Sequence, residues 1–114
     1  MIPRRITLAG SLILGAALVL GASKAQDKGE KGDAAKGKQT FEQCSVCHNV
    51  DSPEKKMGPS LQGLFKKKAL QSGKPVNEAN VLAQINNGGN GMPAYADMLS
   101  AEEKANLMAY LHTL

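Results

Sequence analysis

The segment Cys44-Ser45-Val46-Cys47-His48 has the residue types and spacing with the clearest chemistry in this 114-residue chain. Two cysteines three positions apart lie on the same side of a helical turn, so both thiols can reach the two vinyl groups of one porphyrin. The imidazole that follows directly is a good ligand for haem iron. The segment therefore has the form of a c-type haem attachment site, with Cys44 and Cys47 as anchors and His48 as an axial ligand.

Other sites built from the same residue types fit this sequence less well. A structural zinc site needs four ligands, and the chain offers only Cys44, Cys47, His48 and the distant His112, a spacing that fits no common zinc pattern. A thioredoxin-like redox pair would lie beside a βαβ pattern, and the flanking sequence has no strand-like run. A plain disulfide stays open as an alternative, because an exposed Cys-x-x-Cys pair tends to oxidise in an oxidising compartment.

The five methionines are the candidates for a second axial ligand. Imidazole plus thioether gives the fully ligated iron of electron carriers. Met92 lies in the loop Gly88-Gly89-Asn90-Gly91-Met92-Pro93, whose glycines permit close backbone approach to a flat ligand. Met57 is tied by sequence to the His48 side, and Met98 and Met108 border or lie in the last predicted helix, where methionine usually fills the core. We favour Met92 over these three.

The N-terminal region has the three-part form of a secretory signal. Arg4 and Arg5 precede an uncharged stretch over residues 6–23, and Ser23-Lys24-Ala25 places small residues where a signal peptidase cleaves. We expect a signal peptide over residues 1–25 and a periplasmic mature protein. An uncleaved anchor formed by residues 6–23 is the alternative, because that stretch is just long enough to span a thin bilayer.

The charge pattern argues against a nucleic-acid partner. The chain has 14 Lys and Arg against 10 Asp and Glu, and loss of Arg4, Arg5 and Lys24 with the leader would leave 11 against 10. What remains is a local excess of lysines, hereafter the lysine patch: Lys55, Lys56, Lys66, Lys67, Lys68 and Lys74. We interpret it as a solvated face or as a docking surface for an acidic redox partner, whose approach it would steer.

Periodicity predicts an all-α domain over residues 34–114, preceded by a flexible polar lead-in over residues 26–33. A first helix capped by Asp33 is expected to run into the haem motif, and Gly37 within it indicates close approach by another helix. A second helix is expected from Asn77 to Gly88, and a last one begins at the capping box Ser100 to Glu103. A shorter turn is expected around Leu61, Leu64 and Phe65. Because aromatic residues are few, a large apolar cofactor would have to complete the core.

Together these elements resemble the small bacterial class I cytochromes c over nearly all of residues 34–114. The matching residues occur in family order: Gly37 and Phe41, then Cys44 to His48, Gly58-Pro59-x-Leu61-x-Gly63, Gly91-Met92-Pro93-x-Tyr95, Leu99-Ser100-x-x-Glu103 and Ala109-Tyr110-Leu111. The lysine-rich stretch from Lys66 to Lys74 departs from the family pattern.

The resemblance implies three to four helices wrapped around one covalently attached haem c, with the first and last helices crossing at Gly37, Phe41 and Tyr110. It also implies that the carbonyl of Pro59 accepts a hydrogen bond from His48, and that Met92 is the second axial ligand. The implied function is that of a monomeric mono-haem electron carrier and not an enzyme. The alternatives are a cytochrome subunit permanently bound to a periplasmic or membrane dehydrogenase or oxidase, and a haem sensor or peroxidase.

Overall fold

The structure is a computed structural model that describes residues 32–114 together with Gly15. Three α-helices occur in this part: α1 (Ala34–Phe41), α2 (Glu78–Asn87) and α3 (Ala101–Leu111), with a 3₁₀ helix at Leu64–Lys66 between α1 and α2. Residues 32–114 contain no β-strand, only two isolated bridges. The expected all-α class is therefore confirmed.

The expected signal peptide over residues 1–25, its anchor alternative over residues 6–23 and most of the lead-in lie outside the described residues. Among residues 32–114, no helix has the length and apolar character needed to cross a bilayer.

Side-chain caps begin all three α-helices where the sequence predicts them. The Asp33 carboxylate accepts hydrogen bonds from two backbone N–H groups in the first turn of α1. Asn77 caps α2 through the Asn80 N–H, and Ser100 forms a complete capping box with Glu103 at the start of α3. These polar residues satisfy backbone donors that the first turn of a helix leaves unpaired.

The end of α1 differs from expectation. The regular helix stops at Phe41, so the haem motif does not lie within it. The backbone instead tightens into turns, in which the Cys44 N–H donates to the Phe41 carbonyl at 2.7 Å and the Cys47 N–H to the Cys44 carbonyl at 3.1 Å. These bonds span three residues, and the same two carbonyls also accept four-residue bonds from the N–H groups of Ser45 and His48, so the segment mixes 3₁₀ and α-type turns.

The first and last helices cross as the family resemblance implies. A Cβ atom at Gly37 would collide with the backbone of Asn106 in α3, so only glycine permits this approach. The rings of Phe41 and Tyr110 pack at a centroid distance of 5.3 Å beside the crossing. Asn106 also ties the helices together, because its buried side chain accepts a hydrogen bond from the Asp33 N–H at 2.7 Å.

A single apolar core joins these helices to the loops between them. Its buried members are Phe41, Leu64, Val81, Ile85, Tyr95, Leu99, Leu107, Met108 and Leu111. Helix α3 packs closely on α1, whereas α2 touches α3 at few points. This arrangement leaves a cleft between α2 and the loops that follow α1.

Candidate haem-binding cleft

A mainly apolar cleft of about 230 Å³ brings the predicted site residues together. It is lined by three groups of residues: Gln43, Cys44, Cys47, His48, Met57, Gly58 and Pro59; Leu61, Leu64, Leu70, Gln71 and Ser72; and Val81, Gln84, Ile85, Gly89, Asn90, Gly91, Met92, Pro93 and Tyr95. All five residues expected to bind the cofactor, Cys44, Cys47, His48, Pro59 and Met92, are among them. Residues almost fifty positions apart in sequence thus line the same cleft.

The turn after α1 holds both cysteines and the histidine at the cleft. The His48 N–H donates to the Cys44 carbonyl at 3.0 Å, which closes one helical turn around the motif. Both thiols are free and partly buried. Burial, with a smaller contribution from Cys47, raises the pKa of the Cys44 thiol. Without a cofactor this thiol therefore stays protonated at neutral pH.

The imidazole of His48 is fixed by the loop that the turn faces. Its Nδ1 lies 2.7 Å from the carbonyl oxygen of Pro59. Because that oxygen can only accept, Nδ1 carries the proton and Nε2 keeps its lone pair for a metal. A Cβ at Gly58 would lie 2.5 Å from Cε1 and 2.9 Å from Nδ1 of the ring, so glycine is needed for this close packing.

A tight loop after α2 presents Met92. Gly89 and Met92 exchange backbone hydrogen bonds of 2.9 and 3.0 Å and enclose the two-residue turn Asn90-Gly91, in which both residues have positive φ. Asn-Gly is the sequence that such a turn favours. A Cβ on Gly88 would collide with the carbonyl groups of Met92 and Pro93. The glycines therefore allow the close backbone approach that the sequence indicates.

Gln84 is a cleft residue that the sequence analysis did not identify. Its amide Nε2 donates to the Gly88 carbonyl at 3.1 Å and lies 3.8 Å from the sulfur of Met92. One amide group thus holds both ends of the loop that carries the methionine. Its signal in the sequence is its position between Val81 and Ile85, the two buried residues of α2.

The other methionines and His112 lie elsewhere. Met57 is 82% exposed at the cleft rim, 4.0 Å from the sulfur of Cys47, while Met98 is 61% exposed and outside the cleft lining. Met108 is buried in the core. The rings of His112 and Phe65 stack at a centroid distance of 3.7 Å, and Nε2 of His112 lies 2.8 Å from the Glu78 carboxylate, away from the cleft.

The residues present fit a haem. The cleft is mostly apolar, as a porphyrin requires, and its polar atoms include two thiols, an imidazole nitrogen oriented by a carbonyl, and a thioether sulfur. Burial raises the pKa of the Tyr95 phenol, and the nearby Cys44 and Cys47 add to this shift. Tyr95 therefore lines the same cleft as the two attachment points.

Comparison with known proteins also points to a haem protein. A family model described as cytochrome c oxidase, cbb3-type, subunit III matches residues 32–111. A cytochrome c6 of Diacronema lutheri is 35% identical over 81 residues, which make up 70% of this chain and 94% of that protein. The chain belongs to the class I cytochrome c family. Its cofactor is covalently bound haem c, as the Cys44 to His48 motif predicts, and it is an electron-transfer protein and not an enzyme.

Further class I cytochromes c share sequence and fold with the chain. A cytochrome c2 of Agrobacterium tumefaciens is 35% identical over 80 residues, or 65% of this chain and 68% of that protein. The structure of cytochrome c6 from the diatom Phaeodactylum tricornutum superposes with a TM-score of 0.57 at 29% identity, covering 72% of this chain and 93% of that one. Cytochrome cH from Methylobacterium extorquens superposes with a TM-score of 0.56 at 24% identity, covering 73% and 100%, which supports the fold.

Proposed function

We propose that the protein is a periplasmic mono-haem cytochrome c that carries single electrons between redox partners. The thiols of Cys44 and Cys47 would hold the haem through two thioethers, and His48 Nε2 and Met92 Sδ would be the ligands to its iron. The carbonyl of Pro59 orients the imidazole. The observation that supports this assignment most is the convergence of all five residues on one apolar cleft. When bound, the haem supplies iron that takes up or releases one electron.

This ligand set favours a carrier over a haem sensor or peroxidase. With His48 and Met92 both bound to it, the iron would have no open site for a substrate, and a sensor would require Met92 to leave the iron. Spectroelectrochemical titration of the holoprotein should show a reversible transition of one electron per haem. The ferrous protein should not bind carbon monoxide rapidly. Rapid binding would instead favour the sensor or peroxidase.

The positive charge of the lysine patch favours a redox partner with an acidic surface. All six lysines are exposed, and the segments that carry them also contribute Met57 and Leu70 to the cleft lining. The positive charges therefore flank part of the cleft, where an acidic redox partner could approach. We propose that an acidic partner docks here and that the patch speeds its association.

Charge reversal tests the docking surface. Replacing Lys55, Lys66, Lys68 and Lys74 by glutamate should slow electron transfer to the natural partner at low salt. The difference from wild type should shrink as the Debye length falls from ~30 Å at 0.01 M to ~8 Å at 0.15 M salt. If charge reversal does not change the rate, the patch is a solvated face and not a docking surface.

A permanently bound cytochrome subunit is the second candidate. Val46 and Met57 are large apolar residues at 71% and 82% exposure, and the segments that carry them meet where the Gly58 N–H donates to the Cys47 carbonyl. The matching family model is itself described as an oxidase subunit. Gel filtration of the native periplasmic fraction, followed at the haem absorbance, separates the two. A mass near that of one domain indicates a monomeric free carrier, and elution with a large complex indicates a subunit.

Export is the remaining part of the proposal. It is supported by the Arg4-Arg5 start, the uncharged stretch over residues 6–23 and the small residues around Lys24. Mass spectrometry of the native protein should find Gln26 or a near neighbour at the N-terminus, with the mass of one haem added. Recovery of residues 6–23 in membrane-bound holoprotein would instead establish an anchored cytochrome on the periplasmic face.

A further inference from the structure

Lys67 differs from its two lysine neighbours in what its side chain contacts. Its ammonium Nζ donates a hydrogen bond of 2.6 Å to the backbone carbonyl of Ser60. All three lysines are exposed, but within residues 32–114 the side chains of Lys66 and Lys68 make no hydrogen bond or ion pair. The tight 3₁₀ helix that precedes Lys67, followed by its extended backbone, turns this one side chain back toward the protein.

The partner of Lys67 belongs to the segment that holds the iron ligand. Ser60 follows Pro59 directly, and the Pro59 carbonyl accepts the hydrogen bond from His48 Nδ1 at 2.7 Å. Ser60 is only 7% exposed, and its hydroxyl donates to the Ser52 carbonyl at 2.5 Å. Two successive carbonyls are thus both engaged, one by the imidazole and the next by the Lys67 ammonium.

A charged donor matters at this position. Hydrogen bonds from an ammonium to a carbonyl are stronger than those between neutral groups, and a carbonyl in a nearly buried segment is costly to leave unpaired. Loss of the ammonium would leave the Ser60 carbonyl unpaired, and its peptide would then be held only through the Leu61 N–H, which donates to the Asn49 carbonyl at 2.8 Å. Because the Pro59 carbonyl is joined to this peptide through a single residue, the acceptor of His48 would be held less firmly.

We infer that Lys67 is a positioning residue for His48: it holds the Pro59-Ser60 segment so that the Pro59 carbonyl stays on the imidazole Nδ1. Lys67 then acts on the haem ligand through the protein backbone and is not primarily part of the docking surface. The inference rests on the proposed axial role of His48. It explains why one lysine in the stretch that departs from the family pattern folds back on the chain.

Holoprotein variants test this inference. In Lys67→Met the charged donor is lost and the aliphatic stem kept, Lys67→Arg keeps a donor, and Lys66→Met is the matched control that removes a neighbouring free charge. The exchange rate of the His48 Nδ1 proton is measured by nuclear magnetic resonance on the reduced protein. We expect Lys67→Met to exchange about tenfold faster, the factor for loss of one charge-assisted hydrogen bond. Lys67→Arg and Lys66→Met should match wild type.

The reduction potential provides a second test of the His48 hydrogen bond, because a general loosening of the fold would not change it in the same way. Both methionine variants lose one positive charge, and that loss alone lowers the potential in each. A weaker hydrogen bond from His48 to Pro59 makes the imidazole a poorer electron donor to ferric iron. The potential of Lys67→Met should therefore lie above that of Lys66→Met.

Either of two results in the variants would overturn the inference. One is a His48 exchange rate in Lys67→Met that equals the rate in Lys66→Met, and the other is equal potentials in these two variants. Failure of the proposed function can be told apart from failure of this inference, because it would already be visible in the wild-type protein. If the reduced wild type shows no ring-current-shifted His48 resonances, His48 is not the axial ligand, and both proposals are wrong.

Discussion

Replacing Gly58 by alanine should displace the imidazole of His48. The added Cβ would lie 2.5 Å from Cε1, 2.9 Å from Nδ1 and 3.0 Å from Nε2 of the ring. Carbon atoms in ordinary contact are about 3.5 Å apart, so the ring or the loop must move by about 1 Å. Gly58 is not among the residues with positive φ, so the clash is the only new strain.

That displacement costs stability in two ways. A 1 Å shift away from Pro59 lengthens the 2.7 Å hydrogen bond of His48 beyond the usual range, a loss of about 1 kcal/mol. The extra methyl group in a filled site costs about 1–3 kcal/mol more. We therefore expect Gly58→Ala to lower the free energy of unfolding of the holoprotein by about 2–4 kcal/mol.

Denaturant unfolding of the holoprotein measures this loss, and exchange of the His48 Nδ1 proton shows whether the imidazole has moved. Lys55→Ala is the matched control, because it places an alanine at an exposed position of the same loop. If Gly58→Ala unfolds within about 0.5 kcal/mol of the control, the usual range for surface substitutions, and exchanges at the wild-type rate, the packing of Gly58 on His48 is refuted.

Three further predictions concern the helix crossing, the alkaline limit and the methionine loop. Gly37→Ala should lower the free energy of unfolding by up to about 2 kcal/mol in denaturant titrations, because overpacking at the crossing costs about 1–3 kcal/mol and the gain in helix propensity returns only ~1 kcal/mol. Burial, and secondarily Asp51, raises the pKa of the Tyr110 phenol. The folded state thus holds this proton more tightly than the unfolded state, so thermal stability should fall as pH rises above about 10, and Tyr110→Phe should reduce that fall. Gln84→Leu removes the donor to the Met92 sulfur, so imidazole added to the ferric holoprotein should displace the methionine up to about tenfold faster.

Each of these has a result that contradicts it. A stabilised Gly37→Ala variant would mean that α1 and α3 do not approach as closely as the structure has them. Equal loss of stability above pH 10 in wild type and Tyr110→Phe would remove this phenol from the alkaline limit. For the methionine loop, Gln71→Leu is the control within the same cleft, and equal displacement rates in the two leucine variants would exclude a role for the Gln84 amide.

The sequence predicted those parts of the fold that depend on local chemistry. Asp33, Asn77 and Ser100 are polar caps at the start of apolar periodic runs, and the structure confirms each one. Gly37 indicated a close helix crossing because a glycine inside a helix is otherwise unfavourable. The haem motif was identified for a similar reason, since its spacing is specific without any tertiary information.

What the sequence did not reveal depends on contacts between distant residues. The end of α1 at Phe41 coincides with a mixture of three- and four-residue hydrogen bonds that no side-chain pattern indicates. Gln84 was missed because its role depends on Met92 folding back over α2. The contacts of His112 with Phe65 and Glu78 arise only when three elements meet.

The absorption spectrum of the oxidised holoprotein tests the central claim most directly, because a sulfur-to-iron bond gives a weak band in the red. Met92→Ala should abolish this band and lower the reduction potential, while Met57→Ala, Met98→Ala and Met108→Ala should keep it. Persistence of the band in Met92→Ala, with its loss in one of the other three variants, would contradict the proposed ligand set.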